Sequence, residues 1–288
     1  MVIYKLAASK FVSNILWAIG FILITTISLF ITAEFFTVLT GPLFVNKYLA
    51  FSISLLLFMF SYVVVCGVLF RLFVPKMKEG RYVSGSKQHI LWRMNWHFYS
   101  YIFLFARYLF LYLPFMRYLV LKLFRVNLTP SVYIAETANF QDCNNLITIG
   151  ENSGIGSEVM LSTHLALSPT ISVQRKLTIG SNTHIQARVC LAPGVTIGNN
   201  TIIGFASMLS LGAKIGNDVK IGANVVVGTN CIIGNNCRIG HCVIISESIK
   251  IADNTTIPDY SKVIKLKGSS VKETVIDSTN INRYINLT

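Results

Sequence analysis

Apolar and polar positions follow two different patterns in the two parts of the chain. In the first 70 residues apolar side chains run almost without interruption, and the only charged residues are Lys5, Lys10, Glu34 and Lys47. From Ile149 onward an aliphatic residue instead returns at every sixth position. The first pattern is typical of membrane helices and the second of a repeated short strand, so the chain is predicted to contain two kinds of structure.

Two apolar runs are each long enough to cross a bilayer, which takes roughly 20 residues. They extend over residues 15–33 and 48–70. A cleaved signal peptide would have a shorter apolar region that ends in small residues, and no second span would follow it. We therefore predict two transmembrane helices within residues 1–74.

Residues 71–125 carry ten basic side chains and one acidic side chain, Glu79. Such an excess beside a span is typical of a cytoplasmic segment, so both termini and the following domain are predicted on the cytoplasmic side of a bacterial inner membrane, in a multi-pass protein. Residues 75–128 are also rich in aromatic side chains, and Pro114 interrupts them. We expect interfacial helices here that contact membrane lipids, while a third span through residues 99–124 stays open.

The formal net charge of +13 also fits a protein that binds nucleic acid. However, residues 90–124 are too apolar to form a solvated groove for a phosphate backbone. We therefore assign the positive charge to the membrane surface and predict no nucleic-acid partner.

The aliphatic repeat keeps one register for twenty steps. Six residues match neither the 3.6-residue period of a helix nor the two-residue period of a long strand, but they fit a short strand followed by a tight turn. Three such units close one coil, and coils stack at about 4.8 Å, the spacing of paired strands. The fold predicted for residues 129–268 is therefore a left-handed parallel β-helix. The repeated positions are Ile149, Ile155, Leu161, Leu167, Val173, Ile179, Ile185, Leu191, Ile197, Ile203, Leu209, Ile215, Ile221, Val227, Ile233, Ile239, Ile245, Ile251, Ile257 and Val263.

The residue after the aliphatic position is glycine ten times, and the fourth residue after it is mostly small or β-branched. We expect the aliphatic side chains to fill the shaft, and the glycines to permit turn conformations that are closed to residues with a Cβ. A glycine-rich β-sandwich would not hold one register over this length. The pattern fades after Val263, and residues 269–288 form a polar tail that is either disordered or caps the last coil.

The six cysteines contain no CxxC pair, and no histidine is placed to complete a zinc site with them. They are predicted to be free thiols in a reducing compartment. Cys231 and Cys237 fall at small inward positions of the repeat, which favours core packing over metal binding. No metal site is predicted.

Two segments carry a family resemblance, "ITIGENSGIGSEVMLSTH" from Ile147 and "LTIGSNTHIQARVCLAPGVTIGNNTIIGFAS" from Leu177. They resemble the hexapeptide-repeat acyltransferases, in particular the small acetyl-CoA-dependent O-acetyltransferases. The stretch "GRYVSGSKQHILWRMNW" with the repeat behind it is similar to the membrane-bound carboxy-terminal domains of some nonribosomal peptide synthetases. The resemblance implies a homotrimer whose three active sites lie between subunits, with acetyl-CoA as co-substrate in a groove between adjacent β-helices.

The resemblance also implies roles for single residues. His164 corresponds to the family's general base, because it follows "MLS" and precedes the next regular "LTIG". Ala187, Phe205 and Ser210 fall where the family contacts the cofactor, although "GFAS" departs from the usual "GAGS". His184 falls where the family usually carries a Trp beside the cofactor, with a surface turn position as the alternative.

Three points stay open. The glycine pattern lapses over residues 162–178, which predicts a loop that carries His164, although the aliphatic register also fits a regular coil. Either Asp142 or Glu158 would orient the imidazole. His241 is a second candidate for the base, because the lipid A branch of the superfamily uses that position of the hexad.

The predicted function is a membrane-anchored acyltransferase that moves an acetyl group from acetyl-CoA to a hydroxyl. His164 would take the acceptor's proton and a backbone N–H would hold the oxyanion. The anchor favours a membrane-proximal or lipid-linked glycan as the acceptor. The alternatives are an N-acyltransferase, a peptide-modifying transferase like the synthetase domains, and a non-catalytic trimeric β-helix scaffold.

Overall fold

The computed structural model describes residues 2–41, 43, 45–106, 114–142, 144–264, 274–276 and 284–286. Contacts divide the chain into two compact units. The first comprises Met1–Met77 and Tyr82–Arg125, and the second comprises Lys78–Arg81 and Val126–Thr288. The first unit is helical, and the second contains the six-residue repeat.

The first unit has four helices: α1 (Val2–Thr40), α2 (Lys47–Phe73), α3 (Lys87–Ala106) and α4 (Pro114–Leu123). Residues 18–40 of α1 and the whole of α2 are long and apolar enough to cross a membrane. Pro114 begins α4, a position at which its missing N–H breaks no helical hydrogen bond. The possible third span includes residues 107–113, which lie outside the described residues.

Helices α2 and α4 pack closely at a glycine. A Cβ on Gly67 would lie 2.8 Å from the Cβ of Leu123, so only glycine permits this approach. One turn further along α2, the ring of Phe70 stacks on Phe124 with 4.6 Å between centroids. These contacts hold the carboxyl ends of the two helices together.

Two of the basic residues stabilise helix ends. Arg71 Nη2 donates to the Lys122 carbonyl at 2.6 Å, and Arg125 Nη2 donates to the Arg71 carbonyl at 2.8 Å. Carbonyls in the last turn of a helix have no partner within the helix, so these bonds satisfy them. Burial lowers the pKa of the Arg125 guanidinium, and the charge of Arg71 lowers it further.

Short strands dominate the second unit. In chain order the strands are β1 (Gly80–Val83), β2 (Tyr133–Ile134), β3 (Asn139–Phe140), β4 (Ile147–Ile149), β5 (Gly154–Ile155), β6 (Met160–Leu161), β7 (His164–Ser168), β8 (Ile171–Gln174), β9 (Leu177–Ile179), β10 (His184–Ile185), β11 (Cys190–Leu191), β12 (Thr196–Ile197), β13 (Ile202–Ile203), β14 (Met208–Leu209), β15 (Lys214–Ile215), β16 (Lys220–Ile221), β17 (Val226–Val227), β18 (Ile232–Ile233), β19 (Arg238–Ile239), β20 (Ile244–Ile245), β21 (Lys250–Ile251), β22 (Thr256–Ile257), β23 (Lys262–Ile264), β24 (Thr274–Ile276) and β25 (Tyr284–Asn286).

Each coil contributes one strand to each of three parallel sheets, which we call the first, second and third face. The first face is β4, β9, β12, β15, β18 and β21, the second is β2, β5, β10, β13, β16, β19 and β22, and the third is β3, β6, β11, β14, β17, β20 and β23. From β9 to β23 paired residues in successive coils are 18 positions apart, as Ile197 is from Ile179 and Ile215. The predicted parallel β-helix is confirmed, and its left-handedness stays a prediction.

The aliphatic positions fill the shaft as predicted. Ile155, Leu191 and Ile203 are completely buried. In the regular coils the fourth residue after the aliphatic position also faces inward, and the threonines there satisfy their hydroxyls on backbone carbonyls. Thr183 Oγ1, for example, donates to the Gly198 carbonyl at 2.8 Å. Polar side chains are thus accommodated in the core without unpaired groups at these positions.

The role of the repeated glycines differs from the prediction. All ten of them lie among the described residues, and none has a left-handed φ; that conformation falls two residues later, mostly on asparagine, as at Asn200 and Asn236. A Cβ on Gly222 would lie 2.7 Å from the carbonyl carbon of Gly240 in the next coil. The glycines therefore permit the close approach of successive coils, and the turn conformation that we expected from them was wrong.

The chain leaves the coil where the glycine pattern lapses. After Leu161, β7 and β8 form an antiparallel hairpin, and the coil resumes at β9, which pairs directly with β4. Leu167 therefore lies outside the shaft and is 54% exposed. The loop prediction is confirmed and the regular coil is wrong, because the insertion is two hexads long and leaves the aliphatic register unchanged.

The β-helix begins earlier and continues later than the aliphatic pattern. Ile134 and Phe140 are buried at shaft positions on β2 and β3. However, Ile149 follows Phe140 by nine positions, whereas the regular repeat has six. The extra residues break the register and hide this first coil from a count by six. At the other end, β24 and β25 extend the third face in antiparallel order. The rest of the predicted tail lies outside the described residues.

Candidate active site

His164 lies where the hairpin leaves the β-helix. It is the first residue of β7, three positions after Leu161 of the third face. The hydroxyl of Ser162 donates to the His164 carbonyl at 2.7 Å and so holds the start of the hairpin in place. The side chain of His164 is 21% exposed, so one part of the ring is open to solvent.

The imidazole of His164 contacts the buried carboxylate of Asp142. Its Nδ1 lies against Asp142 Oδ2, which also accepts from the Thr163 N–H at 3.3 Å and from the Thr163 hydroxyl at 3.2 Å. Asp142 is completely buried, so its charge depends on these donors. When Nδ1–H donates to the carboxylate, Nε2 keeps its lone pair and is able to accept a proton.

A second layer of hydrogen bonds holds this pair. The Asn144 amide donates to Thr163 Oγ1 at 3.2 Å and accepts from the Leu146 N–H at 2.8 Å. Asp142 and Asn144 both lie in the segment that breaks the hexad register before Ile149. The signal for them in the sequence was therefore the break itself.

The two candidates for the orienting carboxylate are separated by the structure. Glu158 accepts from Arg188 Nε at 2.9 Å at an exposed position, while Asp142 contacts His164. Of the two, Asp142 is the one placed to orient the imidazole.

Ala187 and Phe205 share one corner of the β-helix. They follow the second face in consecutive coils, so about one strand spacing of 4.8 Å separates them along the axis. Phe205 is 40% exposed, and the guanidinium of Arg188 lies 5.7 Å from the centroid of its ring. The Phe205 N–H donates to the Gln186 side chain at 2.9 Å.

The two remaining predicted cofactor residues, Ser210 and His184, lie on different faces of the β-helix. Ser210 directly follows the third-face strand β14, at the corner where Ser162 lies two coils earlier. The third face is thus bounded by Ala187 and Phe205 at one corner and by Ser210 and the hairpin at the other. His184 lies apart from this group, on a strand of the second face, with its ring over Gly154. It occupies a strand rather than the turn considered as its alternative.

Arg175 was missed in the sequence and lies near Ser210. Its side chain occupies space that a larger residue at Gly194 or Gly212 would need. A Cβ on Gly194 would lie 2.8 Å from Arg175 Cδ, and a Cβ on Gly212 would lie 3.0 Å from Arg175 Nη1. Both glycines have a left-handed φ, at 80° and 70°. These two corners therefore leave room for a cation beside the third face. The sequence signal was glycine at two turns where half of the other left-handed positions in the coils carry asparagine.

One known sequence family matches part of the six-residue repeat. The sequence profile of the family described as bacterial transferase hexapeptide (six repeats) matches residues 176–209 and 212–247. The matched residues form strands β9 to β20 of the β-helix. A search of curated proteins found no significant match.

Several solved structures are similar to the chain. A mutant perosamine N-acetyltransferase from Caulobacter crescentus with CoA and GDP-perosamine is 18% identical, at a TM-score of 0.27, over 54% of this chain and 65% of that one. The acetyltransferase domain of PglB from Neisseria gonorrhoeae with acetyl coenzyme A is 17% identical, at 0.26, over 51% and 60%. AntD, an N-acyltransferase from Bacillus cereus, with dTDP and coenzyme A, is 20% identical, at 0.22, over 49% and 80%. The match thus spans less than two thirds of the first two proteins.

His241, the second candidate for the base, has a structural role in the hexapeptide repeats. Its Nδ1 accepts from the Ala223 N–H at 2.9 Å, one coil below, and its own N–H donates to Asp259 at 2.7 Å. At another corner of the coils, asparagines make the same contact, as Asn217 does to the Asn199 N–H at 2.8 Å. His241 therefore has the role at its corner that asparagine has at the other, which is to join successive coils by a hydrogen bond from side chain to backbone.

Cys231 and Cys237 are buried in the shaft of the repeats. Their thiols donate to the carbonyls of Ser246 and Ala252 at 2.8 and 3.1 Å, and burial raises the pKa of both. Core packing therefore accounts for both residues. Among the described residues, no group of three or more His, Cys, Asp and Glu side chains is arranged to hold a metal ion. Cys143 lies outside the described residues.

Proposed function

We propose that this protein is a membrane-anchored, acetyl-CoA-dependent acyltransferase that acetylates a hydroxyl of a membrane-proximal or lipid-linked glycan. The observation that carries the proposal is the contact between His164 and the buried carboxylate of Asp142 at the start of the hairpin. A β-helix used only as a scaffold has no need of a buried carboxylate paired with a partly exposed histidine. The hexapeptide repeats that begin at residue 176, directly after the hairpin, support the same conclusion.

His164 acts as the general base in this proposal. Its Nε2 takes the proton of the acceptor hydroxyl as the oxygen attacks the thioester carbonyl, and the proton then passes to the leaving thiolate of coenzyme A. Asp142 holds the ring and stabilises the imidazolium that forms between these steps. No covalent enzyme intermediate is needed, because the acceptor attacks the thioester directly.

Acetyl-CoA is proposed to lie along the third face as a co-substrate. Ala187 and Phe205 at one corner and Ser210 at the other bound this face, and the proposal assigns all three to the cofactor. Arg175 adds a positive charge near Ser210, which favours an anionic ligand. His184 lies on the second face and contacts the cofactor only if a neighbouring subunit brings that face into the groove.

The third face also supports a homotrimer. Its outward positions are apolar along most of its length, and Met208 and Ile244 are 42% and 46% exposed. The second face instead carries Lys220 and Arg238 at the same positions. An apolar face of this kind is typically covered by another protein surface, and a second copy of the chain would complete the groove.

Anchoring to a bacterial inner membrane rests on the two apolar helices. Large apolar side chains on their surfaces are exposed within the first unit, for example Phe30 at 65%, Phe51 at 64% and Leu72 at 72%. Lipid contact would remove these side chains from water. Single cysteines at Lys47 and Lys262 test the orientation: an impermeant maleimide applied outside the cell should label the first position and spare the second. Labelling of the cysteine at position 262 would reverse the topology and separate the site from cytosolic acetyl-CoA.

The activity is tested by transfer of radiolabelled acetyl groups from acetyl-CoA to membrane glycans. Membranes with the wild-type protein should label a glycolipid fraction, and His164→Ala should lower the rate on the order of 10²–10⁴-fold, as expected for loss of a general base. Mild alkali should release the label, because an ester is cleaved and an amide is not. A label that resists alkali would identify an amine acceptor instead.

The matched control is His241→Asn, which keeps an acceptor for the Ala223 N–H and should leave the rate near that of the wild type. If His164→Ala keeps more than about a tenth of the wild-type rate, the base lies elsewhere. No acetyl transfer by the wild type, with no change in its melting temperature on addition of acetyl-CoA, would favour the scaffold.

A further inference from the structure

Gln174, beside the candidate base, is a buried amide without hydrogen-bond partners in the described part of the chain. It is the last residue of β8 and lies directly opposite His164 in the hairpin. Its side chain is completely buried, and within the described residues neither its Oε1 nor its Nε2 has a partner. A buried amide in this state destabilises the fold, so its presence calls for a reason other than stability.

The hairpin register places Gln174 beside His164 on one face of the sheet. The Arg175 N–H donates to the Thr163 carbonyl at 2.9 Å, so these two residues form a hydrogen-bonded pair. The next pair, His164 and Gln174, is therefore of the non-hydrogen-bonded type. In such a pair the Cα atoms are only about 4.5 Å apart and the two side chains leave the same face of the sheet.

Packing on an apolar core does not explain this side chain. On β8 the polar residues Ser172 and Gln174 are buried, whereas on the paired strand β7 the apolar residues Leu165 and Leu167 are 40% and 54% exposed. The polar surface of the hairpin is thus turned inward, toward the side on which His164 meets Asp142.

We propose that Gln174 is a positioning residue that stabilises His164 while the imidazole carries the acceptor's proton. This inference rests on the proposed function. The proton moves from the acceptor to Nε2 of His164 and then to the sulfur of coenzyme A, and Gln174 exchanges no atom in either step. Its side-chain oxygen lies beside a positively charged ring only while the imidazolium exists, and this interaction between the amide dipole and the charge uses neither ring N–H. An interaction formed only at that stage raises kcat and leaves substrate binding unchanged.

The test compares Gln174→Met with Ser172→Ala in the full-length chain in detergent. Methionine keeps the volume and removes both polar atoms, so the melting temperature should rise, by about 2–4 °C. The kcat for acetyl transfer should fall on the order of tenfold to a hundredfold with KM unchanged, because a fixed amide dipole beside the cationic ring is lost.

Ser172→Ala is the matched control. Ser172 Oγ is also buried without a partner among the described residues, but it lies on the same strand opposite Ala166 and not opposite His164. Its removal should raise the melting temperature and leave kcat at the wild-type value. Wild-type kcat in Gln174→Met, a rise in KM alone, or a lower melting temperature would each overturn the proposal.

A second measurement does not depend on turnover. Diethyl pyrocarbonate modifies neutral imidazole, and peptide mass spectrometry resolves the rate at each histidine. Because Gln174 lies beside His164 in the hairpin, its replacement in Gln174→Met should change the modification rate at His164 at least on the order of twofold, while that of His241 stays constant. An unchanged rate at His164 overturns the role of Gln174. If no variant and no wild type transfers acetyl groups, the proposed function fails, and this rate still decides whether Gln174 acts on His164.

Discussion

At the scale of single residues, the candidate site depends on two irregularities in a regular repeat. The break in register before Ile149 places Asp142 at the corner that follows the third face. The two-hexad insertion after Leu161 places His164 at the same corner in the next coil. Thr163 connects them, because both its N–H and its hydroxyl donate to the Asp142 carboxylate. In a regular coil the position of His164 belongs to the left-handed turn residue, such as Asn182 or Asn200.

We expect Asp142→Asn to lower acetyl transfer at least on the order of 10²-fold, because an amide does not hold the imidazole as an ionised carboxylate does. Glu158→Gln should retain most of the wild-type rate, since Glu158 forms an exposed ion pair with Arg188. Initial rates at saturating acetyl-CoA, with expression and melting temperature checked for each variant, compare the two. Equal losses in both variants would show that the contact in the fold does not select the carboxylate.

At the scale of elements, two different positions at each corner of the coil have the two roles that we had expected of glycine alone. Glycine after the shaft residue lets the next coil approach, and the residue two positions later takes the left-handed turn. Asparagine is common at the second position because its short polar side chain tolerates this conformation better than other residues with a Cβ. Glycine and alanine exchanges at the two positions should therefore have opposite effects.

Gly222→Ala should lower the free energy of unfolding by about 1–3 kcal/mol, because the added Cβ meets the backbone of the next coil. Ala206→Gly should raise it by up to about 1 kcal/mol, because Ala206 has a φ of 54° that costs a residue with a Cβ. Urea unfolding of the two variants beside the wild type measures both effects. A gain in Gly222→Ala would show that the coils have room to separate.

The helical unit should lose stability in weak acid through His97 on α3. Burial, and secondarily the charge of Arg93, lowers the pKa of His97 to about 4. Between pH about 6.5, where an unfolded histidine titrates, and about 4, the unfolded chain binds more protons, so folding stability falls as the pH falls through this window. His97→Gln should lose less in melting temperature between pH 7.5 and 4 than the wild type. The exposed His184→Gln is the control, and parallel curves for all three proteins would contradict the assignment.

At the scale of the whole molecule, the three faces of the β-helix differ in chemistry. The third face is apolar on its outer surface, the first begins with a row of threonines at Thr148, Thr178 and Thr196, and the second carries Lys220 and Arg238. A surface that is apolar on one face only favours association through that face. This asymmetry gives the proposed homotrimer a testable interface.

We expect light scattering with detergent correction to give the mass of three chains for the wild type. Ile244→Glu places a charge on the third face, far along the axis from His164, and should shift the mass toward one chain. Lys220→Glu changes the charge of the second face and should leave the trimer intact. A single-chain mass for the wild type at micromolar concentration would refute the trimer.

The sequence by itself determined the parts of this protein that depend on periodic side-chain burial. A six-residue aliphatic period has one backbone solution, in which every sixth side chain enters a common shaft, so the parallel β-helix followed from the pattern. The two helices followed in the same way from uninterrupted apolar runs. The lapse of glycine also located the insertion that carries His164.

Only the tertiary structure decided which residues meet across that regular frame. His164 and Asp142 are 22 positions apart, and their contact depends on how many residues the break and the insertion remove from the coil, which the aliphatic register does not record. The same holds for Gln174, whose burial follows from the hairpin pairing. The aliphatic period predicts whether a residue points into the shaft of its own coil. A catalytic contact depends instead on which residues of neighbouring coils are placed side by side, and only the packing of the coils determines that.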